Sequence, residues 1–167
     1  MAAPQRLPGA SARAPQGPAQ TALDTTHLAH LVGFATSRAA VALKLAFAQH
    51  MAPLGLKAVE FSALVLIATN PGLNQKQLGN ALALSAPNLA VILDRLAGRG
   101  LVERVRGIVD RREHRLELTA AGAELTARAE GVAGTMEREA LQGLSDAERA
   151  LLIELLHKVA ATRPDSH

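Results

Sequence analysis

Apolar positions recur along this chain with two different periods, and the change from one to the other divides it into elements. From His27 to Met51 the run HLAHLVGFATSRAAVALKLAFAQHM places Leu28, Leu31, Ala35, Ala39, Ala42 and Leu45 on one stripe of a helix, with Phe34, Val41 and Phe47 elsewhere on the cylinder. A helix apolar nearly all round must be buried nearly all round, and in a chain this short the simplest cover is a second copy of itself. Pro53 and Gly55 break that helix, and LKAVEFSALVLIATN supplies the next, closed by Asn70, Pro71 and Gly72. A short helix follows, with Asn74 as N-cap and Leu78 and Leu82 facing inward. Ser85 caps another, with Pro87 in the first turn where a missing N–H is harmless, and Leu89, Ile92, Leu93 and Leu96 form its buried stripe as far as Gly98 and Gly100. The period then drops to two. Leu101–Arg106 and His114–Leu118 read as short strands, because Leu116 and Leu118 alternate with Arg115 and Glu117, and residues 107–112 connect them. Beyond Thr119, a further N-cap, Leu125, Ala129, Val132, Met136 and Ala140 restore the helical spacing. The last helix starts at Ser145 with a Ser-Asp-Ala-Glu capping box and carries Leu151, Leu152, Leu155, Leu156 and Val159 on a broad apolar face.

The predicted fold is therefore mainly α with one small β-hairpin. Composition leaves that picture intact: 167 residues, 49% apolar and 20% charged, suit one globular unit with a sizeable core. Residues 1–22, with four prolines and two glycines among Ala, Gln and Ser, read as a disordered tail. Arg38 and Lys44 interrupt the longest apolar stretch, so no membrane span is expected, and the protein reads as soluble and cytoplasmic. The lack of cysteine removes disulfides, thiolate metal sites and thiol redox sensing. No GxSxG elbow, phosphate-cradling glycine loop or carboxylate pair set in a cleft supports catalysis, and the chain reads as a non-enzyme without a cofactor.

Charge changes the picture more. The net charge is only +3, yet Arg95, Arg99, Arg104, Arg106, Arg111, Arg112 and Arg115 are seven of the 14 arginines, crowded onto the fourth helix and the hairpin. Helix, helix, short helix, capped helix and then a basic two-stranded ribbon is the order of a winged helix-turn-helix, in which one helix enters the major groove and the ribbon reaches beside it. A ribbon tip crowded with arginine suits phosphates and a narrow, strongly negative minor groove. The helix predicted to read bases presents Ala86, Pro87, Asn88, Ala90 and Val91 after its Ser85 cap. With an apolar residue at 91, readout would lean on thymine methyl contacts and on Asn88. Arg95 and Arg99 are candidate phosphate contacts.

In order, QKQLGNALALS, NLAVILDRLAGRGLVERV and DRREHRLELTAAG resemble the multiple-antibiotic-resistance regulator (MarR) family of bacterial transcription factors, over roughly residues 28–159. The resemblance implies a homodimer built from the first and last two helices, with two winged lobes on a palindromic operator in double-stranded DNA. It divides the chain into a helical dimerisation region, residues 23–52 and 120–163, and a DNA-binding lobe, residues 53–119. It further implies repression released by a small aromatic or heteroaromatic acid, or a thioester of one, bound between the two. By the same resemblance Arg112 is the wing arginine that enters the minor groove, Asp110 the carboxylate that orients it, and Arg111 their neighbour at the tip. Gly79 stands where the family usually has alanine, and both are small enough for the helix crossing.

For the effector, Phe34, Arg38, His50 and Phe61 are the candidate pocket residues, with Arg38 as a cation for a carboxylate among apolar neighbours. Two alternatives stand beside this reading. One is a metal- or pH-responsive regulator that uses histidines such as His27, His30 and His50, although the sequence offers a weak ligand shell and no metal site is predicted. The other is an architectural DNA-binding protein with no ligand.

Overall fold

The computed structural model of the protein describes residues 23–106 and 114–161. These divide between two compact units whose boundary falls between Thr36 and Ser37. The elements are α1 (Thr26–Ala29), α2 (Val32–Met51), a 3-10 turn (Ala52–Leu54), α3 (Ala58–Thr69), α4 (Gln75–Ala81), α5 (Ala86–Gly98), β1 (Val102–Arg106), β2 (His114–Leu118), α6 (Ala120–Ala140) and α7 (Asp146–Ala161). The fold is mainly helical with one antiparallel hairpin, as the hydrophobic pattern predicts.

The single helix expected over residues 27–51 is divided. Leu31 N–H closes a tight turn on Leu28 C=O, and the next helix starts when Ala35 N–H reaches Leu31 C=O. Val32 and Gly33 are weak helix formers placed where the break makes their contribution least costly. Asp24 holds the entry to α1, accepting from both the backbone N–H and the hydroxyl of Thr26. Nor is α2 covered within one chain: Met51 is its one buried residue among those described, and Val41 and Leu45 stay largely exposed.

The core of the second unit gathers around α3, where Glu60, Ala63, Leu64 and Ile67 make the buried stripe. Leu89, Leu93 and Leu96 of α5, Leu78 of α4 and Ala129 of α6 complete it, together with Leu101, Val102 and Leu116 at the base of the ribbon. The ribbon pairs Val102 with Leu118 through to Arg106 with His114. A third segment joins it, since Leu116 N–H donates to Leu73 C=O and Asn74 bridges to Arg115, so β2 is tied to the residues that open α4.

Three predicted caps form as expected. Asn74 and Gln77 exchange side-chain and backbone bonds, Thr119 Oγ1 accepts from Gly122 N–H, and Ser145 and Glu148 make a capping box. Ser85 occupies its N-cap position, but its hydroxyl caps no helical N–H. Pro87 has removed one of the two amides that such a hydroxyl could reach.

Candidate nucleic-acid interface

Between α4 and α5 the chain turns through Ala83, which adopts a left-handed conformation at φ 51°. Leu84 N–H then bonds Gly79 C=O and Ala83 N–H bonds Asn80 C=O, so the last carbonyls of α4 are satisfied by the turn itself. This closure, with the small Gly79 buried against Leu84 and Leu89, sets α5 across α4 and turns its polar side outward. Ser85, Ala86, Pro87 and Asn88 are exposed at its start, Ala90 is half-buried, and Val91 is 70% exposed. A large apolar side chain so open to water on a helix whose opposite face is fully packed is suited to a partner with methyl groups to offer.

The arginines behave less uniformly than their crowding suggests. Arg95 Nε lies 3.1 Å from Glu60 Oε1, and Glu60 is buried. Arg99 sets its two terminal nitrogens on two backbone carbonyls, 2.8 Å from Gly55 O and 3.0 Å from Leu54 O. Arg104 of β1 pairs with Asp94 of α5 at 2.8 Å. Sequence reasoning missed all three attachments. Asp110, Arg111 and Arg112, with the rest of the wing tip at residues 107–113, lie outside the described residues, as does the predicted tail.

Of the candidate effector residues, Phe61 is half-buried and its ring packs against Phe47 of α2, centroids 5.6 Å apart and planes at 54°. His50 follows Phe47 by one turn and bridges α2 to α6: Nδ1 is 2.8 Å from Ala46 O and Nε2 3.0 Å from Glu139 Oε2. Arg38 is exposed on α2, and Phe34 belongs to the first unit. Among the described residues no three His, Asp or Glu side chains gather as a metal ion would need, and no single helix is long and apolar enough to cross a membrane.

Both ring nitrogens of His50 face acceptors, so only the imidazolium can donate to both. The carbonyl of Ala46 and then the Glu139 carboxylate raise its pKa above the ordinary value. A raised folded pKa means the stabilisation is fully present below about pH 6.5, the unfolded value, and is lost as pH rises through the folded one. The melting temperature of wild type should therefore exceed that of His50→Gln by more at pH 5.5 than at pH 8.5. A difference independent of pH would remove His50 from this linkage.

A family model described as the MarR family matches residues 54–113, which run from the end of the 3-10 turn through α3, α4, α5 and β1 and stop just before β2. The transcriptional regulator HosA of Escherichia coli O157:H7 is 32% identical over 114 residues, covering 68% of this chain and 84% of its own length. The chain belongs to the MarR family. It is a transcriptional regulator of that family, and its two-stranded ribbon is the wing of a winged helix-turn-helix. A putative transcriptional regulatory protein for the hcr operon of Thauera aromatica is 33% identical over 99 residues, 59% of this chain, which spans about 60% of that relative. Among solved structures, the repressor CouR bound to a 23-mer DNA duplex superposes with a TM-score of 0.79 at 35% identity, over 84% of this chain and 99% of that one. CouR bound to p-coumaroyl-CoA superposes at 0.77 and 33% identity, over 85% and 100%. Within this MarR-family chain, α5 is the second helix of the helix-turn-helix, packed on α3 and α4 and followed directly by the wing.

Proposed function

We propose that this regulator is a homodimeric repressor that binds a palindromic operator and releases it when an aromatic acid, most simply as a coenzyme A thioester, binds between dimer region and lobe. The observation that carries the reading is the fit of the chain, nearly end to end of the partner, to one repressor in both states: on a DNA duplex and with p-coumaroyl-CoA. Residues 53–119 then form the DNA-binding lobe, and residues 23–52 and 120–163 the dimerisation region. Exposed apolar side chains along α2 and α7 support a second copy as their cover, because water-exposed leucine on this scale marks an interface.

On DNA, Asn88 and Val91 read base edges, the latter through a thymine methyl, with Ser85, Ala86, Pro87 and Ala90 bringing the start of α5 close to the backbone. Arg112 enters the minor groove, held by Asp110, with Arg111 beside it. The effector region takes the aromatic part of the ligand against Phe61, with His50 as further lining, and its carboxyl or thioester end toward the Arg38 cation. Release follows if the ligand binds better to a dimer whose lobe spacing no longer matches the half-sites.

One titration tests this. A duplex enriched from a random pool by the wild-type protein is titrated with wild type and Arg112→Ala, with and without p-coumaroyl-CoA. Wild type should prefer it over a scrambled duplex and lose affinity when the thioester is added. Arg112→Ala should bind the same duplex about 10- to 100-fold more weakly per lobe, with unchanged helical content. Binding indifferent to sequence and to the thioester overturns the reading.

A further inference from the structure

We propose that Arg95 and Arg99 serve DNA recognition as positioning residues: they fix the seat of α5 through the fold, and neither neutralises a phosphate. This rests on α5 being the helix that meets DNA. The basis is where their charges are held. Glu60 sits at the head of the buried stripe of α3, and its carboxylate has two partners in the structure, the backbone N–H of Lys57 on Oε2 and Arg95 on Oε1. The first of these anchors the carboxylate to the N-terminus of α3, so Arg95 is tied to a rigid point and not to a free side chain. Swinging Arg95 out to a phosphate would leave a buried carboxylate without its cation, which is costly in a way that a solvated arginine's partner is not.

Arg99 is committed in a different currency. Its fork lies on the carbonyls of Leu54 and Gly55, where the chain leaves the 3-10 turn through a left-handed glycine at φ 60°. Those carbonyls end a helical segment, carry its negative pole and point at the guanidinium. The C-terminal end of α5 is therefore fastened to the junction between α2 and α3.

The geometry matters because of what stands between. Asp94 and Arg95 lie three and four residues after Val91, one on each side of the outward stripe, and each is paired to a different neighbour, Arg104 on β1 and Glu60 on α3. Both Asp94 and Arg104 are well exposed, so water screens that pair and the buried end at Glu60 dominates. The buried leucines seat α5 on the core, and Arg95 and Arg99 add the fixed polar attachments that hold its rotation, and with it the direction of Asn88 and Val91.

Salt dependence separates positioning from phosphate contact. Each phosphate neutralised adds about 0.9 to the slope of log affinity against log salt, whereas a positioning residue changes affinity and leaves the slope alone. The duplex enriched by wild type is titrated across a salt series with wild type, Arg95→Gln, Arg99→Gln, Glu60→Gln and the Glu60→Gln/Arg95→Gln pair. The expected result is a loss of roughly tenfold in Arg95→Gln and in Glu60→Gln, no further loss in the pair, a loss of similar size in Arg99→Gln, and the wild-type slope throughout. Arg95→Lys should recover part of the affinity, because an ammonium can still answer Glu60. A slope lowered by about 1 per lobe in Arg95→Gln or Arg99→Gln overturns the proposal, as does full additivity in the pair. Wild type that fails to prefer the enriched duplex overturns the DNA reading itself. Thermal melts of every variant accompany the titration, and if Glu60→Gln does not fold, Arg99→Gln and Arg95→Lys still decide the question through their slopes.

Discussion

Gly122→Ala should destabilise the protein by about 3 kcal/mol or more in urea unfolding, at the upper end of what overpacking costs. A methyl group added at Gly122 would stand 2.0 Å from the carbonyl oxygen of Leu101 and 2.9 Å from its carbonyl carbon. Both are backbone atoms, so no side chain can swing aside. The same carbonyl accepts from Thr119 N–H at 3.1 Å, and Thr119 Oγ1 donates to Gly100 O at 2.6 Å, so backing α6 away would stretch both bonds together. In an ordinary helix the same substitution is favourable by up to about 1 kcal/mol. Gly131 offers the control: it lies in α6, is exposed, and a methyl there meets nothing within 4 Å. Gly131→Ala should stabilise while Gly122→Ala destabilises, and shifts of the same sign would show that the close approach at Leu101 does not matter. The glycine of the LELTAAG motif thus marks the place where the first turn of α6 rests on bare backbone.

Leu155→Asp should abolish dimerisation at micromolar concentration. Leu151, Leu152, Ile153, Leu155, Leu156 and Val159 are between 39% and 60% exposed in one chain, and Leu155 lies mid-stripe among its apolar neighbours on α7. A carboxylate in an apolar interface has no partner, and in a symmetric dimer the change is felt twice, so affinity should fall on the order of a thousandfold or more. Light scattering should report about twice 17.5 kDa for wild type and a single chain's mass for the variant, with helical content kept. Operator affinity should drop with it, since two half-sites are no longer engaged by one molecule. A wild type already monomeric and well folded would remove the shared-helix reading.

Period and caps carried most of the fold into the sequence. The alternation at Leu116 and Leu118 located β2 to the residue, and Asn74, Thr119 and Ser145 announced their helices, because each signal is local: a side chain answering its own backbone. What escaped was tertiary. The bond from Leu116 to Leu73 joins residues far apart in sequence, and nothing in the LNQ segment alternates strongly enough to suggest a strand. Arg95 and Arg99 looked like surface cations because their partners, a carboxylate on α3 and two carbonyls, leave no mark near them in the chain. Glu60 did leave one, since it takes the first place in the stripe completed by Ala63, Leu64 and Ile67, where an apolar residue would be expected. Along α5 the sequence told which side chains stand open to water, with Ala90 half-buried as the exception, and the effector region was legible as residue types more than as an arrangement.

The turn through Ala83 has a bearing on how the two helices it joins can move. Glycine in that left-handed seat would fit without strain, but it would also give the unfolded chain more freedom to lose and the folded turn more ways to flex. Alanine is held there by the closing bonds to Gly79 and Asn80, against a steric preference of about 1–2 kcal/mol. Alanine leaves this turn fewer backbone conformations than glycine would, in the folded and the unfolded chain alike. The crossing of α4 and α5 is therefore held at the same few atoms that end α4, and a substitution at Ala83 would be felt at both helices together.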